Sequence, residues 1–229
     1  MMDACSCDIC LDVWGDFAVF TMPDAKVERV SYDVPTPSAC RGILNAIYSK
    51  PIEFYYEITQ IEVMNPIKKI QIKRNEVVRK ADSKKLDSIY VEEDRTQRGT
   101  EFLKDVYYRI HAKMIVREDA PNKVTISSVY SQFMKRLTHG KCFYQPYLGA
   151  KECIAFFSLP DPDRKPLNLS KDYGIMLYDI FDITKNVPID TSSKKGIANS
   201  SKKVTYYRAV MNAGVISVPS YEDVRKGVC

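Results

Sequence analysis

Residues 103–116 alternate regularly between apolar and polar side chains. The apolar positions fall on one face of an extended chain: Val106, Tyr108, Ile110, Ala112 and Met114. The other face carries the polar and charged positions: Asp105, Tyr107, Arg109, His111 and Lys113. Because side chains alternate across a strand, this pattern predicts a strand that is buried on one side only. The fold must therefore contain a β-sheet with one packed face and one polar face.

Strand and helix patterns follow one another in a definite order before residue 160. Four further segments have strand patterns: residues 7–20, 52–64, 67–78 and 153–159. Thr36-Pro37 predicts a helix start, and amphipathic helix spacing covers residues 36–49 and 125–139. The polar stretch 80–100 is predicted to be mobile, and no strand or helix is predicted there. This order predicts an α+β fold with a ferredoxin-like (RNA-recognition-module-like) core, one extra strand and a basic β-hairpin.

The chain changes character at residue 160. Residues 160–171 contain three prolines and are typical of a linker. Strand patterns at 204–210 and 214–218 flank Met211-Asn212-Ala213, where Asn212 or Gly214 could take a left-handed conformation in a hairpin turn. We therefore expect two domains: a ferredoxin-like domain over 1–159, and a small antiparallel β-domain over 160–229.

Composition excludes several classes of protein. Charged residues make up 28% of the 229 residues and hydrophobic residues 45%, which excludes a disordered chain, a collagen-like repeat and a coiled coil. There is no run of 18 apolar residues, and residues 1–10 do not resemble a signal peptide. We expect a cytoplasmic protein whose 7 cysteines are reduced thiols.

Basic residues are concentrated in one segment. Residues 67–85 contain eight Lys and Arg residues, opposed only by Glu76 and Asp82, although the formal net charge of the chain is only +5. Charge alone leaves two interpretations open: a patch for a polyanion, or a hairpin that lysines keep soluble.

Few residues suggest catalysis or metal binding. The common hydrolase and nucleotide-binding motifs are absent. Cys5, Cys7 and Cys10 lack the second ligand pair of a zinc site, so no metal or other cofactor is predicted. His111 lies in a basic row of one strand, and His139 follows a helix, where its charge would be favourable.

Tyr48 and Lys123 lie at predicted helix ends. A tyrosine and a lysine can together cleave RNA without a metal: the phenol orients or activates the ribose 2′-hydroxyl, and the lysine neutralises charge on the phosphorane. The alternative is that Tyr48 packs in the core and Lys123 is solvated.

Several motifs resemble one protein family. They are VWGDFA at 13–18, KVERVSYDVPTPSA at 26–39, RGIL at 41–44, AIY at 46–48 with KP at 50–51, KRNEV at 73–77, CFYQPYLG at 142–149 and MLYDI at 176–180. In this order, from about residue 13 to 218, they closely resemble the CRISPR-associated Cas5 family in its subtype I-C, or d, form.

The resemblance implies a function. Members of this subtype cut precursor CRISPR RNA at the base of the repeat hairpin without metal, and retain the 5′ handle in the antiviral interference complex, Cascade. The implied partners are the precursor and mature CRISPR RNA and the Cas7 backbone and Cas8 large subunits, with target DNA met only within that complex and no membrane. The implied catalytic residues are Tyr48 and Lys123.

One position departs from the family pattern. The family has a histidine where this chain has Val124, which can neither transfer a proton nor bind phosphate. Three outcomes stay open: Tyr48 and Lys123 suffice, His111 or His139 compensates, or cleavage is slow or lost. The last would make the chain a non-catalytic scaffold that binds the 5′ handle. A general single-stranded RNA binder is a further alternative.

RNA contacts are expected mainly from the basic segment. The predicted phosphate-binding residues are Lys68, Lys69, Lys73, Arg74, Arg79 and Lys80, followed by Arg29 and Arg41 in the matched motifs. Tyr32 and Phe143 are candidates for stacking on bases, with core packing as the alternative for each.

Overall fold

A computed structural model of the chain describes residues 6–25, 28–78, 90–118, 120, 124–182, 187–188 and 202–227. Its strands are β1 (Ser6–Ala18), β2 (Phe54–Val63), β3 (Lys68–Val77), β4 (Arg95–Val116), β5 (Phe156–Ser158), β6 (Lys171–Asp182), β7 (Val187–Pro188), β8 (Lys202–Asn212) and β9 (Val215–Ser217). Its helices are α1 (Pro37–Ile47), α2 (Val91–Asp94), α3 (Ile126–Thr138) and α4 (Tyr221–Lys226). No helix in these ranges combines the length and apolarity needed to cross a membrane.

The strands form one antiparallel sheet. Its order is β5-β1-β4-β2-β9-β8-β6-β7, and β3 pairs with β4 beside this path. Because β9 pairs with β2, the sheet continues from the first part of the chain into the last. The fold is thus mostly antiparallel β with few helices, and the division at residue 160 stays a prediction.

Strand β4 pairs with other strands in two parts of the sheet. Its first part pairs with β3 to form a hairpin, from Lys68 opposite Lys104 to Val77 opposite Arg95. Its second part lies between β1 and β2. Residues 95–100, in the stretch for which no strand was predicted, therefore belong to β4. A two-stranded ribbon exposed on both sides tolerates polar side chains, so this stretch has no alternating pattern to reveal it.

The helices α1 and α3 cover one face of the sheet. The Thr36 hydroxyl accepts a hydrogen bond from the N–H of Ala39 and Pro37 occupies the first turn, which confirms the predicted start of α1. Thr125 caps α3 in the same way through the N–H of Ser128. Both helices pack apolar side chains onto the side of β4 that carries Tyr108 and Ile110. The opposite face of the first sheet half, called here the polar face, carries Asp12, Glu62, Arg109 and His111.

The predicted C-terminal hairpin is confirmed, and of the two candidate left-handed residues Gly214 has that conformation. Ala213 and Gly214 have φ values of 47° and 81°, the two left-handed positions of a tight hairpin turn. Asn212 is the last residue of β8 instead. A Cβ at Gly214 would lie 2.3 Å from the carbonyl oxygen of Leu167, so close backbone approach also favours glycine there.

Candidate functional site

Tyr48 lies directly after α1, where its ring is held from two sides. Its N–H donates to the carbonyl of Leu44 at 3.0 Å, and its own carbonyl accepts a hydrogen bond from the Tyr56 hydroxyl at 2.6 Å. The ring centroid lies 5.3 Å from that of Phe54, and the Arg136 guanidinium carbon lies 5.3 Å from the same ring. Only 8% of Tyr48 is exposed, so its ring has a fixed position under a cation.

The last turn of α3 lies against the last turn of α1. Arg136 donates from Nη1 to the carbonyl of Ile47 at 3.4 Å. One turn on, Nδ1 of His139 lies 2.7 Å from the carbonyl of Lys135, so Nδ1 carries the proton. His139 is exposed, and its Nε2 forms no hydrogen bond with a described residue. The chain therefore brings a guanidinium and an imidazole to the side of the molecule on which Tyr48 lies.

The second predicted catalytic residue, Lys123, lies outside the described residues. Its neighbour Val124 is half-buried and packs against the core, just before the capping residue Thr125. At the position where the resemblance implies a histidine, this chain thus has a packing side chain. The proposed roles of Tyr48 and Lys123 stay proposals.

His111 belongs to a different site. Its Nε2 lies 2.8 Å from Oε1 of Glu62, which also accepts a hydrogen bond from Gln60 at 2.7 Å. The Cys10 thiol lies 3.8 Å from the same nitrogen, and burial raises the pKa of Cys10 to about 11. His111 therefore lies on the polar face, whereas Tyr48 lies on the helix-covered side of the sheet.

Arg109, next to His111 in the predicted basic row, is bound to a carboxylate of the protein itself. It donates to both oxygens of Asp12, from Nε at 2.7 Å and from Nη2 at 3.1 Å. Burial alone would raise the pKa of Asp12, but hydrogen bonds from Arg109, the Asp161 N–H and the Tyr107 hydroxyl outweigh it and hold that pKa below its usual value. Arg109 and His111 of this row are thus bound to carboxylates and do not form an open anion site.

The segment after β5 crosses the polar face. The N–H of Asp161 donates to Asp12 at 2.9 Å, and its carbonyl accepts from Arg109 at 2.6 Å. The Arg164 guanidinium carbon lies 3.8 Å from the ring centroid of Tyr107, which stacks on Trp14 at 5.5 Å. The sequence patterns did not predict that this segment lies over the polar face, because the contacts join residues that are far apart in the chain.

Acidic partners neutralise much of the predicted basic hairpin. Lys68 pairs with Asp105 at 3.4 Å. Lys69 pairs with Asp33 at 2.8 Å and with Glu101 at 2.9 Å. Lys73 is exposed and forms no ion pair with any described residue. Arg79 and Lys80 lie outside the described residues.

Two arginines share the same carboxylates beside the hairpin. Arg74 pairs with Glu152 and, at 3.2 Å, with Glu76. Arg29 reaches Glu152 at 3.5 Å and Glu76 at 3.8 Å. Burial alone would raise the pKa of Glu152, but a backbone hydrogen bond and the two arginines hold it below its usual value. Arg29 and Arg74 would thus have to exchange carboxylates for phosphates to bind RNA.

Two other candidates are bound within the protein, Arg41 buried and Tyr32 half-buried. Arg41 is 7% exposed and binds Asp179 of β6 through Nε at 2.7 Å and Nη2 at 2.9 Å. Tyr32 packs partly against the core, and its hydroxyl accepts a hydrogen bond from the N–H of Leu177 at 3.4 Å. We therefore leave both out of the proposed RNA contacts. Phe143, in contrast, is 75% exposed.

Comparisons with known proteins agree with these motifs. A family model described as Cas_Cas5d, CRISPR-associated protein (Cas_Cas5), matches residues 8–219. A protein named CRISPR pre-crRNA endoribonuclease Cas5d from Mannheimia succiniciproducens is 37% identical over 237 residues, covering 94% of this chain and 97% of the relative. A protein of the same name from Thermus thermophilus is 43% identical over 168 residues, covering 73% of this chain and 71% of the relative.

A solved structure of a CRISPR-associated protein has a similar fold. A crystal structure of a CRISPR-associated protein superimposes with a TM-score of 0.68 at 22% identity, covering 96% of each chain. At that identity the likeness concerns the fold alone. Since the family model spans most of the sequence and both relatives exceed 30% identity, the chain belongs to the Cas5d family of CRISPR-associated proteins.

Proposed function

We propose that this chain is an endoribonuclease that cuts precursor CRISPR RNA in its repeat. The observation that carries the proposal is the 37% identity, over 94% of the chain, to a relative named for that activity. The fixed ring of Tyr48 beside Arg136 supports it, because a phenol under a cation can orient a ribose hydroxyl next to a phosphate.

The proposed reaction uses the RNA's own nucleophile. The 2′-hydroxyl attacks the adjacent phosphorus, the bond from phosphorus to O5′ breaks, and the products are a 2′,3′-cyclic phosphate and a 5′-hydroxyl. The 2′-hydroxyl loses one proton and the leaving O5′ gains one. Tyr48 orients the 2′-hydroxyl, and Lys123 neutralises charge on the phosphorane.

Val124 leaves one proton-transfer role without the family's histidine. Of the two histidines, His139 is the better substitute, because it follows α3 on the side of Tyr48 and its Nε2 is not bonded to a described residue. His111 is bound to Glu62 on the polar face. A missing proton shuttle costs about 10²–10⁴-fold in rate, so slow cleavage is compatible with this site.

One assay tests this function. The full chain is incubated in EDTA with a repeat RNA and with the same RNA carrying a 2′-deoxy group at the cut site. We expect cleavage of the first substrate only. Cleavage of both would refute the 2′-hydroxyl mechanism, and loss of cleavage in EDTA would refute metal independence.

The second candidate function is a non-catalytic scaffold that holds the 5′ handle, which Val124 specifically favours. Tight binding of repeat RNA without cleavage by the wild-type chain would establish it and refute the nuclease. Under either function we propose a cytoplasmic subunit of Cascade that retains the handle and contacts Cas7 and Cas8. Copurification of the three proteins with CRISPR RNA tests that assembly.

The proposed ferredoxin-like core has support in the strand order. β5-β1-β4-β2, with α1 and α3 as crossovers, follows the order of that fold when the β3 hairpin is treated as an insertion. We propose that residues 1–159 form this core and that residues 160–229 add the smaller β-rich part.

A further inference from the structure

The stretch from residue 120 to 151 carries basic residues without acidic ones. It contains five Lys and Arg residues and no Asp or Glu, whereas the rest of the chain is balanced at 29 of each sign. The net charge of +5 thus comes from this stretch, although residues 67–85 hold more cations. Charges without acidic neighbours are the ones available to a polyanion.

The structure places three of these cations where α3 ends. Lys135 and Lys141 are exposed and Arg136 is half-buried, and none of the three forms an ion pair with a described residue. The hairpin cations Lys69 and Arg74, in contrast, each pair with two carboxylates. Compensation of the α3 dipole accounts for cations in its last turn, but not for Lys141, which lies beyond the helix.

Phe143 lies in the same loop and is the most exposed large apolar side chain in the described ranges, at 75%. Its backbone is fixed: its N–H donates to the carbonyl of Ala46 at 2.7 Å, and the N–H of Tyr144 donates to the same oxygen at 3.2 Å. Its ring contacts that of Tyr144 edge to face, with centroids 6.1 Å apart. Since Ala46 is two residues from Tyr48, an exposed aromatic ring is held close to the end of α1 that carries the proposed catalytic phenol.

A fixed exposed ring near cations that form no ion pair with a described residue is an arrangement suited to single-stranded RNA, where aromatic side chains stack on bases and cations hold the phosphates between them. We propose that Phe143 stacks on an unpaired base next to the phosphate cut at Tyr48, and that Lys135, Arg136 and Lys141 bind the flanking phosphates. This inference rests on the proposed function and adds a substrate-positioning residue to it. The base lies outside the duplex, because a paired and stacked base has no free face for the ring.

The test uses the full chain with Phe143→Ala, Phe143→Trp and, as a control, Ile175→Ala. Ile175 is 67% exposed on β6, outside the proposed surface. The first probe is a short oligouridine with one central 2-aminopurine, whose emission falls when an aromatic ring stacks on it. We expect wild type and Phe143→Trp to quench it, and Phe143→Ala to bind about 5- to 150-fold more weakly with the quench lost. Ile175→Ala should match wild type.

The second probe is the repeat RNA of the cleavage assay, with 2-aminopurine placed in turn at each unpaired position near the cut site. Quenching at one such position that depends on residue 143, and a higher KM for Phe143→Ala that Phe143→Trp restores, support the inference. If wild type quenches both probes through Phe143 but does not cut, the nuclease proposal fails and the stacking role stands. If Phe143→Ala keeps affinity, quench and cleavage, the stacking role is overturned while the nuclease stands. A wild-type chain that binds neither RNA overturns both.

Discussion

Arg41 of α1 and Asp179 of β6 form a bidentate ion pair in the protein interior, with Nε 2.7 Å from Oδ2 and Nη2 2.9 Å from Oδ1. The two residues are 138 positions apart in the sequence. Oδ1 of Asp179 also accepts a hydrogen bond from the N–H of Ile180 at 2.8 Å. The pair thus ties the first helix to the far half of the sheet.

Removing either partner should destabilise the fold. Arg41→Ala or Asp179→Ala leaves one charge buried without its partner, and we expect a loss of about 3–5 kcal/mol in the free energy of unfolding. Urea denaturation at neutral pH measures it. The control is Glu222→Gln, which breaks the exposed pair to Lys226 and should cost under about 1 kcal/mol. A similar small loss at both sites would show that the buried pair does not hold the two parts together.

Local signals predicted several elements correctly. Thr36-Pro37 marks the start of α1, because a capping hydroxyl and a proline act within their own helix turn. The alternation in residues 103–116 gives the buried face of β4, with Tyr108, Ile110 and Met114 all in the core. These features were predictable because the determining groups are neighbours in the sequence.

Features that depend on distant residues were not predictable in the same way. Arg41 was a candidate for RNA binding because its partner Asp179 is not apparent from nearby sequence. The basic hairpin looked like an open patch because Glu152, which pairs with Arg74, lies far along the chain. The gap in acidic residues over 120–151 was available as a signal, and it points to Phe143.

The stability of the fold should fall in acid partly through Asp12. Hydrogen bonds, chiefly from Arg109, hold its pKa below the usual value of about 3.9 against the opposing effect of burial. A carboxylate with a depressed folded-state pKa stabilises the fold above its unfolded-state pKa, and this stabilisation is lost as the pH falls through the folded-state pKa. Between pH 7 and 3, the free energy of unfolding of Asp12→Asn should therefore decline less than that of wild type. Parallel urea curves at each pH provide the measurement, and equal declines would contradict the assignment.

Cleavage should depend on the Tyr48 hydroxyl. Tyr48→Phe keeps the ring between Phe54 and Arg136 but removes the group that orients the 2′-hydroxyl, so we expect a rate loss of about 10²–10⁴-fold with unchanged RNA affinity. Lys123→Ala should reduce the rate similarly. Single-turnover cleavage and filter binding separate the two quantities. Tyr206→Phe, which alters an exposed tyrosine of β8, should match wild type, and normal cutting by Tyr48→Phe would remove Tyr48 from the mechanism.

The hairpin cations should differ in their effect on RNA affinity. Lys73 has no ion pair among the described residues, so Lys73→Ala should lower the slope of log affinity against log salt by about 0.7–0.9, one phosphate contact. Lys69→Ala should change the slope less, because Asp33 and Glu101 already neutralise Lys69. Glu152→Gln should tighten binding, since it removes one of the two carboxylates that Arg29 and Arg74 share. Equal slopes for the two lysine variants would contradict this ranking.

Alanine substitutions at two glycines distinguish the stability cost of backbone strain from that of a steric clash. Gly149 has a φ of +84°, and a Cβ there would lie 2.0 Å from the carbonyl oxygen of Val19. Gly140 has a φ of +62°, but nothing lies within 4 Å of its Cβ position. Gly140→Ala should therefore cost only the left-handed strain of about 1–2 kcal/mol. Gly149→Ala must also displace the backbone at Val19 and should cost clearly more. Thermal and urea unfolding of both variants measure the difference, and equal losses would mean that the loop after α3 moves away from Val19 without cost.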